Sequence, residues 1–294
     1  MSTTEYKEYC RTIYTSVFDK MMEEQTSATK NPYSISDKKL NEFEIAAQKE
    51  AIKQAIIKGL ESFPNVNAAL IWRAIYETHV HHKSGIDDSD IIHKVISADQ
   101  SWKKSSGHAF EEMVKLLASV ALADNNIEII LQRDLSTLIK ADEISNEPRD
   151  ISWLKEQITG DVFDLYAIVN VNDKKYCFGC IQCKTSIRDR VTRDREPSLR
   201  AMQSYFWSVA IVLDGDFLKL KKFKEMVNGG TSTQQANGWH GMYVFTKEEM
   251  GERIFHTNVD FEIFKQHAVE AANMWLRQRQ WFNEDWKPSV FEVD

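Results

Sequence analysis

Residues 162–190 read VFDLYAIVNVNDKKYCFGCIQCKTSIRDR. Two largely apolar runs, Val162 to Val171 and Tyr176 to Lys184, flank the turn Asn172-Asp173-Lys174-Lys175, and that pattern predicts a β-hairpin. If the turn centres on Asp173, Asp164 lies opposite Gln182, and Lys184 follows on the same face one pleat further on. An acid, an amide and an ammonium therefore gather at the ends of two otherwise apolar strands. Burying a carboxylate or an ammonium is costly unless it is paired or holds a cation. The cluster reads either as a solvated ion pair or as a site built around a cation.

Working outward, Ile127 to Leu131 is a short isoleucine-rich strand, and Gly107 to about Leu122 is an amphipathic helix with Phe110, Met113, Val114, Leu117 and Val120 on one stripe. Earlier still, apolar residues recur at helical spacing from Glu5 to about Lys58, interrupted by Thr26 to Ser36, then over Asn67 to His79 and Ser89 to Ser97. Downstream, a helix is expected to start at Ser186, followed by a helix from Leu199 to about Trp207 and a strand from Val209 to Asp214. A helix from Phe217 to Val227, a strand from Met242 to Phe245 and a last helix from about Asp260 to Gln280 complete the pattern. The expected architecture is a mainly helical region over residues 1–100 and an α/β (α+β) domain over residues 101–294, with a mixed central sheet flanked by helices.

The chain has 294 residues, 43% of them hydrophobic, which is enough for one large core or two modest ones and excludes disordered or low-complexity classes. Its formal net charge of -7 argues against a generic polyanion binder. The longest strongly apolar run, Tyr205 to Leu213, falls well short of the roughly 20 residues that span a bilayer, and the N-terminus has no apolar signal core. A soluble cytoplasmic protein with no membrane partner is expected. Three of the four cysteines crowd at Cys177, Cys180 and Cys183, which suits a reducing compartment. Strand alternation sets Cys180 on the face opposite Cys177 and Cys183, and no fourth cysteine is near, which argues against a zinc or iron–sulfur site. His79, His81 and His82 with Glu77 read as a polar helix end.

An Asp on one strand, followed after a turn by an acidic or amide residue, any residue and Lys, resembles the PD-(D/E)XK nucleases. Here the pattern is Asp164 and then Gln182-Cys183-Lys184, with Phe163 where the family has proline and Gln where it usually has Glu. Asp161 is a competing candidate for the first carboxylate. Beginning four residues beyond Lys184 stands Arg188-Asp189-Arg190, a triplet similar to that of type II restriction endonucleases reading CCGG or CCNGG. The chemistry suits it, since each arginine can donate two hydrogen bonds to guanine O6 and N7, and the acid can accept from cytosine amino groups. Ser186 with Asp189 reads as a capping box, which sets the triplet on a helix N-terminus. Arg193-Asp194-Arg195 repeats the composition at another offset and is assigned to phosphate contacts or a solvated face.

The resemblance implies a metal site with Asp164, Glu196 and Glu111 as ligands of Mg2+, Lys184 and Gln182 completing the catalytic set. Glu196, twelve positions beyond Lys184, stands near the place where this branch recovers a carboxylate, although Pro197 predicts a kink or restart of the helix there. Glu111 is preferred over Glu112, with an acidic first helical turn as the alternative reading of both. The implied protein is a type II restriction endonuclease of a bacterial or archaeal cytoplasm, acting on double-stranded DNA as a homodimer, with a tetramer also admitted. Two alternatives use the same core: a repair or recombination nuclease, and a DNA-binding protein without catalysis. From Lys184 to Arg200 six basic residues and three acidic ones give +3 within a chain of -7, so the charge balance leaves room for a sequence-specific DNA partner.

Overall fold

The computed structural model describes residues 5–28, 35–86, 88–186, 191–230, 236–245, 252–279 and 282–289. Two compact units divide the chain at Ser101 and Trp102. In the first, α1 (Glu5–Ser27), α2 (Asp37–Ser62) and α3 (Ala68–Ser84) pack around Tyr6, Cys10, Tyr14, Ile71 and Ile75. Along α2 the buried positions are Ala47, Ala51, Ala55 and Gly59, one small residue per turn. They let the helices close up, and a Cβ on Gly59 would stand 2.9 Å from Ile71 Cγ2. No helix among the described residues is long and apolar enough to cross a membrane.

The second unit begins within α4 (Ser89–Ala121), which is one continuous helix where the sequence pattern reads two. Gly107 therefore sits mid-helix, at a cost of about 1 kcal/mol relative to alanine that a helix of this length absorbs. Its buried stripe is Phe110, Val114, Ala118 and Leu122, while Val120 points off that stripe and is exposed. A six-stranded sheet follows in spatial order β1 (Ile127–Leu131), β2 (Leu165–Val171), β3 (Lys174–Ser186), β4 (Trp207–Asp214), β5 (Gly241–Val244) and β6 (Ile254–His256). The β1–β2 and β2–β3 pairs are antiparallel and the rest parallel, so the sheet is mixed as expected. One face carries α4 and α9 (Glu262–Gln278), packed on Leu165, Ala167, Ile181, Val209, Ile211 and Tyr243. The other carries α5 (Gln132–Lys140), α6 (Pro148–Thr159), α7 (Val191–Gln203) and α8 (Lys221–Asn228).

The hairpin departs from simple alternation at one point. Its turn is Asn172-Asp173, both with positive φ (49° and 61°) as a two-residue type I′ connection requires, and Val171 faces Lys174 across it. From Val171 back to Ile168 the facing positions sum to 345, whereas from Ala167 to Leu165 they sum to 346, because Phe178 is an extra residue on β3. This bulge reverses the parity of everything beyond it. Cys177 and Cys180 consequently share a face and Cys183 points to the other, which corrects the alternation read from the sequence. Gly179 sits beside the bulge because a Cβ there would come within 3.0 Å of both Ala167 Cβ and Trp207 Cε3.

Candidate active site

Beyond the bulge the register carries Asp164 toward Gln182, with Asp164 N donating to Ile181 O at 3.1 Å. The Asp164 carboxylate accepts through one oxygen, Oδ2, from Cys183 N at 2.6 Å and from Lys184 Nζ at 2.9 Å. Side chains 164 and 184 are 20% and 18% exposed, so this ion pair faces a partly desolvated space and is not a free surface contact. Burial works against the Lys184 ammonium, but the charge and hydrogen bond of Asp164 outweigh it and its pKa ends raised, with Asp194 adding in the same sense.

Glu111 arrives from α4, in the middle of the helix and not in its first turn, so a helix-dipole role does not account for it. Its pKa is pushed up by burial and then by the negative charge of Asp164, against the opposing pull of His108 and Lys184. Glu111 and Asp164 line one cavity of about 350 Å3 together with His108, Glu112, Gln132, Arg133 and Asp161. Of these, Glu112 is paired with Arg133 at 2.7 Å. Asp161, at a positive φ of 50°, accepts from Gln132 Nε2 at 3.0 Å. Asp161 thus shares the cavity, while Asp164 is the carboxylate joined to Lys184.

The other sequence candidates fall elsewhere. Gln182 is buried and turned away from Asp164: its Oε1 accepts from Trp239 Nε1 at 2.8 Å and its Nε2 donates to Asp194 O at 3.0 Å. Glu196 lies on α7 with its side chain 67% exposed and ion-pairs with Arg200. The helix runs through Pro197 without the expected restart at Leu199. Arg193 is exposed, whereas Arg195 donates to Ala236 O at 2.6 Å and its pKa is lowered by burial. Ser186 is the last residue of β3, in register with Asp214, and Arg188, Asp189 and Arg190 lie outside the described residues.

Among the described residues no group of three or more His, Cys, Asp or Glu forms a metal cluster, so Asp164, Glu196 and Glu111 are not brought together as one set. Sequence reading passed over two contributors. Asp194, in a triplet assigned there to phosphate contacts or a solvated face, is half-buried on α7 and adds to the charge that favours the Lys184 ammonium. Gln132 follows β1 directly, in a segment read as a polar connection but folded as α5. In both cases chain spacing carried no signal, because the placement comes from helices packed on the sheet.

Residues 144–281 match the family described as BsaWI restriction endonuclease type 2. A crystal structure of a pre-specific restriction endonuclease BsaWI–DNA complex is similar with a TM-score of 0.80 and 55% identity, covering 97% of this chain and 99% of that one. A specific restriction endonuclease AgeI–DNA complex aligns over 88% of this chain and 91% of that chain, with a TM-score of 0.43 and 16% identity. No curated protein matches this chain.

Proposed function

The chain belongs to the BsaWI family of type II restriction endonucleases, and from that membership we propose that it binds double-stranded DNA and hydrolyses it at a short palindrome containing CCGG or CCNGG, with Mg2+ as cofactor. The observation that carries the chemistry is the Asp164–Lys184 contact, with Asp164 and Glu111 lining a single cavity.

The donor set fits a hard divalent cation. Glu111 and Asp164 line one cavity, where burial first and the Asp164 charge second raise the Glu111 pKa, and one or two carboxylates completed by water and substrate phosphate is the usual way in which Mg2+ is held. Asp164 and Glu111 are the proposed protein ligands, with Glu196 on α7 as the further carboxylate that the family pattern implies. When bound, the metal polarises the scissile phosphate and lowers the pKa of a water on it. Lys184, kept as an ammonium by Asp164, orients the attacking water and offsets the negative charge added to the phosphate. Cys183 N and Lys184 Nζ together fix Asp164 Oδ2, so the carboxylate is oriented before substrate arrives.

Specificity is proposed to lie with Arg188 and Arg190 reading guanines and Asp189 reading cytosine amino groups, with Arg193 on the backbone phosphates. A palindromic target needs the same reader twice, which a two-fold homodimer provides, or a tetramer built from two such dimers. Incubating plasmid DNA with the protein and Mg2+ tests the reading. Discrete fragments whose ends sequence to one palindrome with a G·C core are expected. Nicking governed by DNA structure would favour a repair nuclease, and retarded but intact DNA a binder without catalysis.

A further inference from the structure

The cavity that Asp164 and Glu111 line is also lined by Glu112 and Asp161, so four carboxylates border the space that a DNA phosphate must enter. Among the described residues lining it, Arg133 carries the one permanent positive charge, since His108 is charged only when protonated. The main chain holds Arg133 close to the proposed centre. It is the second residue of α5, and Gln132, just before it, donates its N–H to Asp164 O at 3.2 Å. The Gln132 side chain is fixed as well, its Nε2 donating to Ile158 O at 3.2 Å and to Asp161 Oδ1 at 3.0 Å. The start of α5 is thus tied to the residue that carries the proposed metal-binding carboxylate.

The Arg133 guanidinium is itself loosely held. Its Nη2 donates to Glu112 Oε1 at 2.7 Å, with the two side chains 72% and 52% exposed. The neighbouring Asp134 is engaged by Lys115 Nζ at 2.7 Å and by Leu131 N at 3.3 Å, and stands 3.9 Å from Arg133 Nε. A structural clasp in this protein is built differently. Arg279 meets Asp150 through two bonds of 2.6 Å, with side chains 24% and 7% exposed. A single exposed contact such as Arg133 with Glu112 costs little to break, whereas a guanidinium fork matches a phosphate through two parallel bonds. Once Arg133 leaves, the exposed Glu112 carboxylate returns to water and no buried charge is left unpaired.

We propose that Arg133 binds a backbone phosphate of the DNA beside the cleaved bond, and that Glu112 is the place-holder it leaves when DNA enters. This rests on the nuclease reading above and adds to it a contact that carries no base information.

The test is equilibrium binding, in Mg2+ and over a range of KCl concentrations, of the full-length protein to a duplex carrying the mapped site with an uncleavable linkage at the cut position. Arg133→Gln should weaken binding roughly 10-fold and reduce the salt slope by about 0.9, the share of one phosphate contact. Matched and mismatched duplexes should lose affinity by the same factor. Glu112→Gln should act the other way and tighten binding roughly 2- to 5-fold, because the competing ion pair is gone. That gain should vanish once Arg133→Gln is added. Both side chains are exposed, and thermal melting checks that each variant is folded. If the pair were a clasp between α4 and α5, both variants would change binding in the same direction, and that result overturns the inference. Unchanged affinity in Arg133→Gln, a loss confined to the matched duplex, or a Glu112→Gln gain that persists without Arg133 overturns it too. If the wild-type protein neither retards nor cuts any duplex, the nuclease reading falls and this contact with it. If wild type cuts and Arg133→Gln binds and cuts equally well, only the Arg133 contact falls.

Discussion

Around Glu77, in the helical unit, Lys7 Nζ stands at 3.4 Å, Arg73 Nε at 3.2 Å and His93 Nε2 at 2.9 Å from one carboxylate. Around Asp164, in the sheet unit, the proportion is reversed. Asp164 and Glu111 draw on Lys184, His108 Nδ1 stands 3.4 Å from Glu111, Asp161 lines the same cavity, and the Arg133 guanidinium is taken by Glu112. Both clusters are rich in charge, and the sequence flagged both, the first through Glu77 with His79, His81 and His82. What separates them is balance. A carboxylate held by Lys7 and Arg73 is electrostatically finished, whereas carboxylates gathered in a half-buried space with little positive charge are relieved either by taking up a proton or by a bound cation. Burial first and the Asp164 charge second push the Glu111 pKa up, against the pull of His108 and Lys184.

The contrast breaks most severely if the two clusters respond alike to loss of their ion-pair partners. Lys184→Ala is expected to lower the single-turnover cleavage rate by roughly 10²–10⁴-fold while the folded protein still retards its target DNA. A variant that cuts at the wild-type rate removes Lys184 from the chemistry. Arg188→Ala or Arg190→Ala should each cost about 1–3 kcal/mol of discrimination against a target changed at one G·C pair, read from cleavage of matched and mismatched duplexes. Unaltered site preference would move the reader elsewhere.

Smaller effects sharpen the same comparison. Glu77→Gln leaves exposed or half-exposed cations unpaired and should lower stability by about 1 kcal/mol or less, with cleavage per folded molecule unchanged. Glu111→Gln should act in the opposite direction in metal-free buffer. Because burial first and Asp164 second raise the Glu111 pKa, its ionisation opposes folding. Wild-type stability from this group is therefore fullest below the ordinary carboxylate pKa and is lost as pH climbs through the raised value. The variant should melt above wild type at neutral pH, with the gap closing in acid, and equal melting points at neutral pH would contradict the charge deficit.

The hairpin, Asp164 and Lys184 were legible because two apolar strands around a polar turn leave few alternatives, and an acid and a lysine at matching ends of such strands stand out. The face assignments were less so. Phe178 is as apolar as its neighbours and nothing in the pattern marks it as an extra residue, so the alternation of the three cysteines was misread. Residues 132–159 read as a polar connection because α5 and α6 bury little of themselves, Leu135 in one and Asp150 and Leu154 in the other. Counting from Lys184 singled out Glu196, but spacing along the chain carries no information on exposure, and its side chain lies exposed against Arg200. The Gly107 punctuation misled in the same way, since a helix held by Phe110, Val114 and Ala118 on one face tolerates an exposed or half-buried glycine.

The most direct test of the charge-deficit account is a Mn2+ titration of three proteins side by side: wild type, Asp164→Asn and Glu77→Gln. The account predicts binding by wild type and Glu77→Gln with the same affinity and its loss in Asp164→Asn. Retained binding in Asp164→Asn, or lost binding in a folded Glu77→Gln, would contradict it.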